Sequence, residues 1–157
     1  MIRRIDDAQD AIETYGKFRD KILHVIDIAN DGTTETEILQ LLDNREAVMW
    51  VHNDSIAIVQ IIIDLTDGSR WCLVRIASGD LSDILAGNSA IAEWAKSHGA
   101  IGVCLIGRKG WIRVLAPLGF ASQKYINTTK QEEGRVYLLT RFFDGIIPKN
   151  DDPDDPD

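Results

Sequence analysis

Gly107-Arg108-Lys109-Gly110 sets two cationic side chains between two glycines at the entry to a helical segment. Backbone donors and positive charge at such a turn can hold an anion. An exposed basic turn that merely opens a helix has the same composition, because anion sites need convergent groups that a sequence does not display. Trp111 and Arg113 follow at once. An aromatic and an arginine near a helix start are the residue types that dominate interface energy, so this surface is the one assigned to a protein partner. Trp50, Trp71 and Trp94 lie in strand-like runs or on the apolar flank of a helix, where core and rim packing accounts for them. Asp64, Glu93 and His52 are available as proton acceptors, yet no spacing ties them to a common site, and no catalytic residue is assigned. Cys72 and Cys104 each sit inside an apolar run without the paired spacing of a zinc or redox motif, which makes them buried core thiols. His24, His52 and His98 have no acidic or cysteine partner at ligand spacing, so no metal is expected.

The chain that must position these groups has 157 residues, 45% apolar and 27% charged, the composition of one globular domain with its own core. Met1-Ile2-Arg3-Arg4 is not followed by the apolar stretch of a secretory signal, and no run approaches the ~18 apolar residues of a membrane span. A cytoplasmic protein with no membrane role is the expectation. The net charge is −8, and Lys149 to Asp157 holds five aspartates against one lysine, which leaves −4 for the rest. A general nucleic-acid binder would need a basic footprint, which this balance does not supply. Residues 1–148 are read as the domain, and 149–157, without an apolar residue to bury, as an acidic disordered tail.

Hydrophobic spacing then gives the elements. Ile2 to Ile5 reads as a short strand, and Asp6 and Asp7 start a helix. Ala8, Ala11, Ile12, Tyr15, Phe18, Ile22, Leu23, Ile26 and Ala29 recur at helical spacing, as one long helix or two hinged near Gly16. Thr34 with Glu37 forms a capping box before Ile38, Leu41 and Leu42. Ala47 to Val51 and Ser55 to Leu65 read as a hairpin, and the β-branched run Ile56 to Ile63 predicts a strand covered on both faces. A third strand, Arg70 to Ile76, precedes a helix with Leu81, Ile84, Leu85, Ile91, Ala92 and Ala95 on one face and Gly99 as its C-cap. Ala100 to Ile106 is a buried strand, Trp111 to Leu115 a helix limited by Pro117 and Gly119, and Phe120 to Lys130 and Arg135 to Phe143 the last two strands.

This order, together with Ala-Glu-Trp-Ala-Lys-Ser-His-Gly-Ala, an apolar strand and a short helix ending Pro-Leu-Gly-Phe between Ala92 and Phe120, resembles the GNAT (GCN5-related N-acetyltransferase) superfamily from Ile2 to about Phe143. The resemblance implies an α/β (α+β) fold, a mixed and mostly antiparallel sheet flanked by helices. It also implies an acetyl-CoA site where the fourth strand enters the third helix, around Ile76, Ala77, Ser78 and Gly79, with Arg108 and Lys109 as further phosphate donors. Two departures stand against catalysis. The family's glycine-rich pyrophosphate loop corresponds to Gly79-Asp80-Leu81-Ser82-Asp83-Ile84, which keeps one glycine, lacks an arginine and carries two aspartates. Like charge at ~4 Å and an effective dielectric of ~20 costs on the order of 4 kcal/mol. The tyrosine that often protonates the departing thiolate corresponds to Leu115, which has no proton to give, and the asparagine often found seven residues earlier corresponds to Arg108.

Trp111 to Gly119 (Trp-x-Arg-x-Leu-x-x-Leu-Gly) is also similar to small GNAT-like proteins encoded among tailed-bacteriophage virion genes. The expectation is a non-catalytic scaffold or binding protein, phage-derived, with a virion component as partner and no cofactor. The alternative is an acyl-CoA-dependent N-acyltransferase with an atypical cofactor loop.

Overall fold

The computed structural model describes residues 2–29, 32–108, 113, 115–126 and 136–143. Arg3–Ile5 (β1) leads into Ala8–Ala29 (α1), whose first turn is capped where the Asp10 N–H donates to Asp7 Oδ2 at 3.0 Å. Helix α1 runs unbroken through Gly16, which removes the hinged alternative. Glu35–Asp43 (α2) opens on Thr34, whose hydroxyl accepts from the Glu37 N–H at 3.2 Å. It closes with the Arg45 N–H donating to the Leu42 carbonyl and the Glu46 N–H to that of Leu41, with Arg45 in the left-handed region (φ 59). Ala47–His52 (β2), Ser55–Ile63 (β3) and Arg70–Ser78 (β4) follow as a meander, then Leu81–Ser97 (α3) and Ala100–Arg108 (β5). Arg113 and Leu115 are helical and run into a 3₁₀ turn, Ala116–Leu118, before Ala121–Ile126 (β6) and Val136–Phe142 (β7). The acidic tail lies outside the described residues.

The seven strands make one sheet in the order β1-β2-β3-β4-β5-β7-β6, with β4 and β5 parallel and every other neighbouring pair antiparallel. Period-two alternation along β3 divides the core between the two faces. Ile56 and Ile58 join Ile5, Tyr15, Phe18, Ile22, Ile38, Met49 and Ile76 against α1 and α2. Ala57 and Val59 join Trp50, Cys72, Ala95, Val103, Leu115, Phe120 and Leu139 on the α3 side. Coverage of both faces of β3 holds from Ser55 to Val59 but fades beyond, and Ile63, at the hairpin end of the strand, is 55% exposed. Ile12, grouped with the apolar stripe of α1 by its spacing, is 67% exposed. The tryptophans Trp50 and Trp94 pack edge to face at 6.0 Å, and Trp71 lies against Phe142 at 5.0 Å, as core and rim residues.

Cys72 and Cys104 are buried free thiols on adjacent strands. Burial pushes both up to about 12, Cys72 with a further contribution from Cys104. Neither should react with Ellman's reagent in the native protein at pH 8, and both should react in urea. Both thiols titrate near ~8.5 once unfolded. Their contribution to stability is therefore complete below that pH and lost as pH rises toward the folded value. A melting temperature flat from pH 8 to 11 would contradict this.

Candidate functional site

Pairing between β4 and β5 runs from Arg70↔Ala100 to Val74↔Leu105 and stops there. Both strands continue. Strand β4 stays in register with β3 through Ile58↔Ile76, Ala57↔Ala77 and Ile56↔Ser78, and β5 stays with β7 through Ile106↔Leu138, Gly107↔Tyr137 and Arg108↔Val136. The two parallel neighbours therefore part in the middle of the sheet, and a cleft opens between Arg75–Ser78 on one wall and Ile106–Arg108 on the other. Backbone N–H and C=O groups along these inner edges have no strand partner across the gap, so an extended ligand with amide groups can ladder onto them.

The apex of the cleft is marked by a bulge. Ile58 pairs with Ile76 and Val59 with Val74, so Arg75 is an extra residue on β4 with no counterpart on β3. A bulge re-aims side chains. Here it turns two consecutive residues toward α1 and α2: Ile76 is buried in that cluster, and the Arg75 guanidinium donates from Nε to Gln60 Oε1 at 3.0 Å and from Nη1 to Glu37 Oε1 at 2.9 Å. The capping-box reading assigned the Glu37 carboxylate to its own helix start. The structure gives it to Arg75, 38 residues away in the chain. Nothing in local spacing signals this pairing, and sequence reasoning missed Arg75, Glu37 and Gln60 together.

At the outer end of β4 the loop into α3 lies hard against β3. Gly79 has φ +130, and a Cβ there would meet Ser55 Cβ at 2.5 Å and Cα at 2.6 Å. The Asp80 N–H donates to the buried Ser55 hydroxyl at 3.0 Å, so one of the donors at the start of α3 is already engaged within the protein. Of the residues assigned to acetyl-CoA, Ile76, Ala77, Ser78 and Gly79 line one wall of the cleft, and Arg108 stands in the opposite wall. Lys109 and Trp111 lie outside the described residues. Arg113 is exposed, and Leu115 is buried in the α3-side core.

Asp80 is exposed. Solvent screening therefore reduces the like-charge penalty expected from sequence from ~4 to roughly 1 kcal/mol. If the phosphates of an acetyl-CoA lie at the start of α3, as the resemblance implies, Asp80→Asn should tighten its binding about threefold to fivefold at low salt, and less at high salt. An affinity unchanged at low salt would place the phosphates away from the α3 start.

The three proton-acceptor candidates sit elsewhere. Asp64 belongs to the β3–β4 hairpin, its carboxylate accepting from Thr66 N–H at 2.9 Å, at the far end of β4 from the cleft. Glu93 is an exposed partner of Lys96 at 3.5 Å. His52 ends β2, two strands from β4, beside a small cavity shared with Arg3, Thr14, Lys17, Phe18, Val51 and Asn53. A second polar cluster ties α1 to α2: Arg19 holds Glu35 through Nε at 2.8 Å and Nη2 at 3.0 Å, and the Tyr15 hydroxyl donates to Glu35 at 2.9 Å. The hydrogen bonds from Arg19 and Tyr15 hold the Glu35 carboxyl below its ordinary range.

The fold matches solved structures over nearly its whole length. Arabidopsis thaliana NAA60 in complex with acetyl-CoA superposes with a TM-score of 0.59 at 15% identity, covering 92% of this chain and 98% of that one. A probable acetyltransferase from Staphylococcus epidermidis gives 0.64 at 10% identity, covering 91% and 99%. FeeM, an N-acyl amino acid synthase from uncultured soil microbes, gives 0.66 at 10% identity, covering 90% of each chain. The chain has a GNAT-like fold. No family model and no curated protein matches the sequence. At these identities the likeness concerns architecture, and it includes the mixed, mostly antiparallel sheet expected from the order of elements. Among the described residues, no helix of this GNAT-like chain is long and apolar enough to cross a membrane.

Proposed function

We propose that the protein is an acyl-CoA-dependent N-acyltransferase, with the acyl-CoA as the substrate it consumes and the β4–β5 cleft as the place where it lies. The observation that carries this reading is the parting of β4 from β5 beyond Val74↔Leu105, with the bulge at Arg75 at its apex. Four residues of β4 and three of β5 present unpaired backbone edges to each other. That is a fitting seat for an extended arm with amides. The thioester supplies an activated acyl carbon: the acceptor nitrogen bonds to it as the carbon–sulfur bond breaks, the amine loses a proton, and the sulfur departs with the electron pair and is protonated.

The residues of this chain orient and hold rather than shuttle protons. Ile76 to Ser78 form the wall along the arm, while Arg108 and Lys109 are the cations assigned to the phosphates. Leu115 cannot protonate the departing sulfur, so that proton comes from solvent. The acetyl-CoA and CoA complexes among the structural neighbours support this alternative over a scaffold without a ligand.

The second reading keeps the fold as a non-catalytic scaffold that binds a protein partner, such as a virion component, through Trp111 and Arg113. Two observations favour it: the Asp80 N–H is engaged by Ser55, and Leu115 is packed in the core where a proton donor would serve catalysis. A thiol-release assay with acetyl-CoA and a panel of primary amines separates the two. Amine-dependent release of CoA supports the transferase, and hydrolysis-level release with every amine supports the scaffold.

A further inference from the structure

Arg75 is the charged side chain at the apex residue of the cleft to which the seat of an acyl-CoA gives no role. It follows directly on Val74, the last β4 residue paired with β5, and the bulge sends its side chain to the α1/α2 face, opposite the face covered by α3. An arginine has five N–H donors in a rigid fork. Two of them, Nε–H and one on Nη1, are used by Gln60 and Glu37, and the side chain is 24% exposed. These two bonds fix the guanidinium plane while leaving N–H groups on Nη2 without a partner among the described residues. A guanidinium held in place with an open edge is built to take a planar oxyanion through paired hydrogen bonds.

Resting on the acyltransferase reading, we infer that Arg75 is the acceptor-recognition residue of the cleft and that the acceptor is a free α-amino acid, bound by its carboxylate. The amine of an α-amino acid is one carbon from the carboxylate. A carboxylate on Arg75 would hold that amine one carbon away from the anion, on the α1/α2 side of the residue at which β4 and β5 part, whereas a long diamine or a lysine side chain has no anion to leave there. The Glu37 carboxylate, 2.9 Å from Nη1, brings the local charge close to neutral. That disfavours dianions such as phosphate esters and repels a second carboxylate, so neutral-side-chain amino acids should outrank aspartate and glutamate. The transfer balances as an amide bond formed for a thioester bond broken, with one proton passing from the amine to solvent and one from solvent to the sulfur.

The test pairs free amino acids with their amides, which lack only the anion. With acetyl-CoA as donor, L-leucine, L-phenylalanine and L-glutamine should be acetylated with kcat/KM at least about tenfold above the matching amides, which corresponds to ~1.4 kcal/mol. Arg75→Gln should raise the amino-acid KM at least about tenfold and abolish that preference, with acetyl-CoA affinity within about twofold of wild type. Arg75→Lys, which keeps the charge and loses the fork, should fall between, and it serves in place of the glutamine variant if that one folds poorly. Glu37→Gln should lower the amino-acid KM, an effect that a purely structural ion pair would not produce. Independent of turnover, N-acetyl-L-leucine should bind the wild type by titration, while its amide should not.

Equal turnover of amino acids and amides would overturn the inference and leave the acyltransferase standing. Loss of acetyl-CoA affinity in Arg75→Lys would also overturn it, by assigning Arg75 to the donor side. Absence of acetyl-CoA binding by the wild type would remove both readings.

Discussion

Gly79→Ala is expected to destabilise the protein by roughly 3 to 4 kcal/mol and to abolish acyl-CoA binding in whatever fraction still folds. The backbone at Gly79 has φ +130, a region that costs a side-chain-bearing residue ~1–3 kcal/mol. The added Cβ would also meet the Cα of Ser55 at 2.6 Å, and a backbone atom cannot rotate away. The start of β3 and the end of β4 must then separate. That breaks the bond from the Asp80 N–H to the Ser55 hydroxyl, worth ~1 kcal/mol, and moves the wall of the cleft and the start of α3 together. Ser55→Ala removes the acceptor without the clash and should cost only about 1 to 2 kcal/mol. A Gly79→Ala protein that melts with the wild type would mean that the junction sits farther from β3 than described.

Ile22→Ala is the second large effect, expected at ~3 to 4 kcal/mol because Ile→Ala at a buried site costs both transfer and cavity terms. Ile22 is wholly buried where α1 meets Ile56, Ile58 and Ile76. For a chain of this length the melting temperature should fall by roughly 10 °C. Ile12→Ala, on the same helix but 67% exposed, should change it by less than about 2 °C. Equal losses at the two positions would contradict the burial pattern along α1.

Elements governed by local chemistry were legible in the sequence. The spacing of Tyr15, Phe18 and Ile22 marks one face of a helix, Thr34 caps the next, and Gly99 ends α3 in the left-handed region with its N–H on the Lys96 carbonyl. The order of these elements carries the fold. The site was legible only as a location. The strand ends put the backbone of residues 76 to 78 on one wall of the cleft and that of Arg108 on the other. What local patterns cannot register is the relation between distant segments. The bulge at Arg75 depends on the register of β3 against β4, the approach of Gly79 to Ser55 spans a strand, and Glu37 satisfies its helix-cap spacing while its carboxylate serves another element. The same limit applies to Asp80, whose exposure, which sets its cost to a phosphate, depends on the packing of distant segments.

Isothermal titration of the purified protein with acetyl-CoA tests the assignment of the β4–β5 cleft most directly. Saturable binding is expected with a dissociation constant between about 1 and 100 µM, within the range over which enzymes hold their substrates. Ala77→Trp, which would fill the cleft wall, should abolish binding while the variant keeps a cooperative melting transition. Absence of heat and of any thermal shift up to millimolar acetyl-CoA would contradict the transferase and leave the GNAT-like fold as a scaffold.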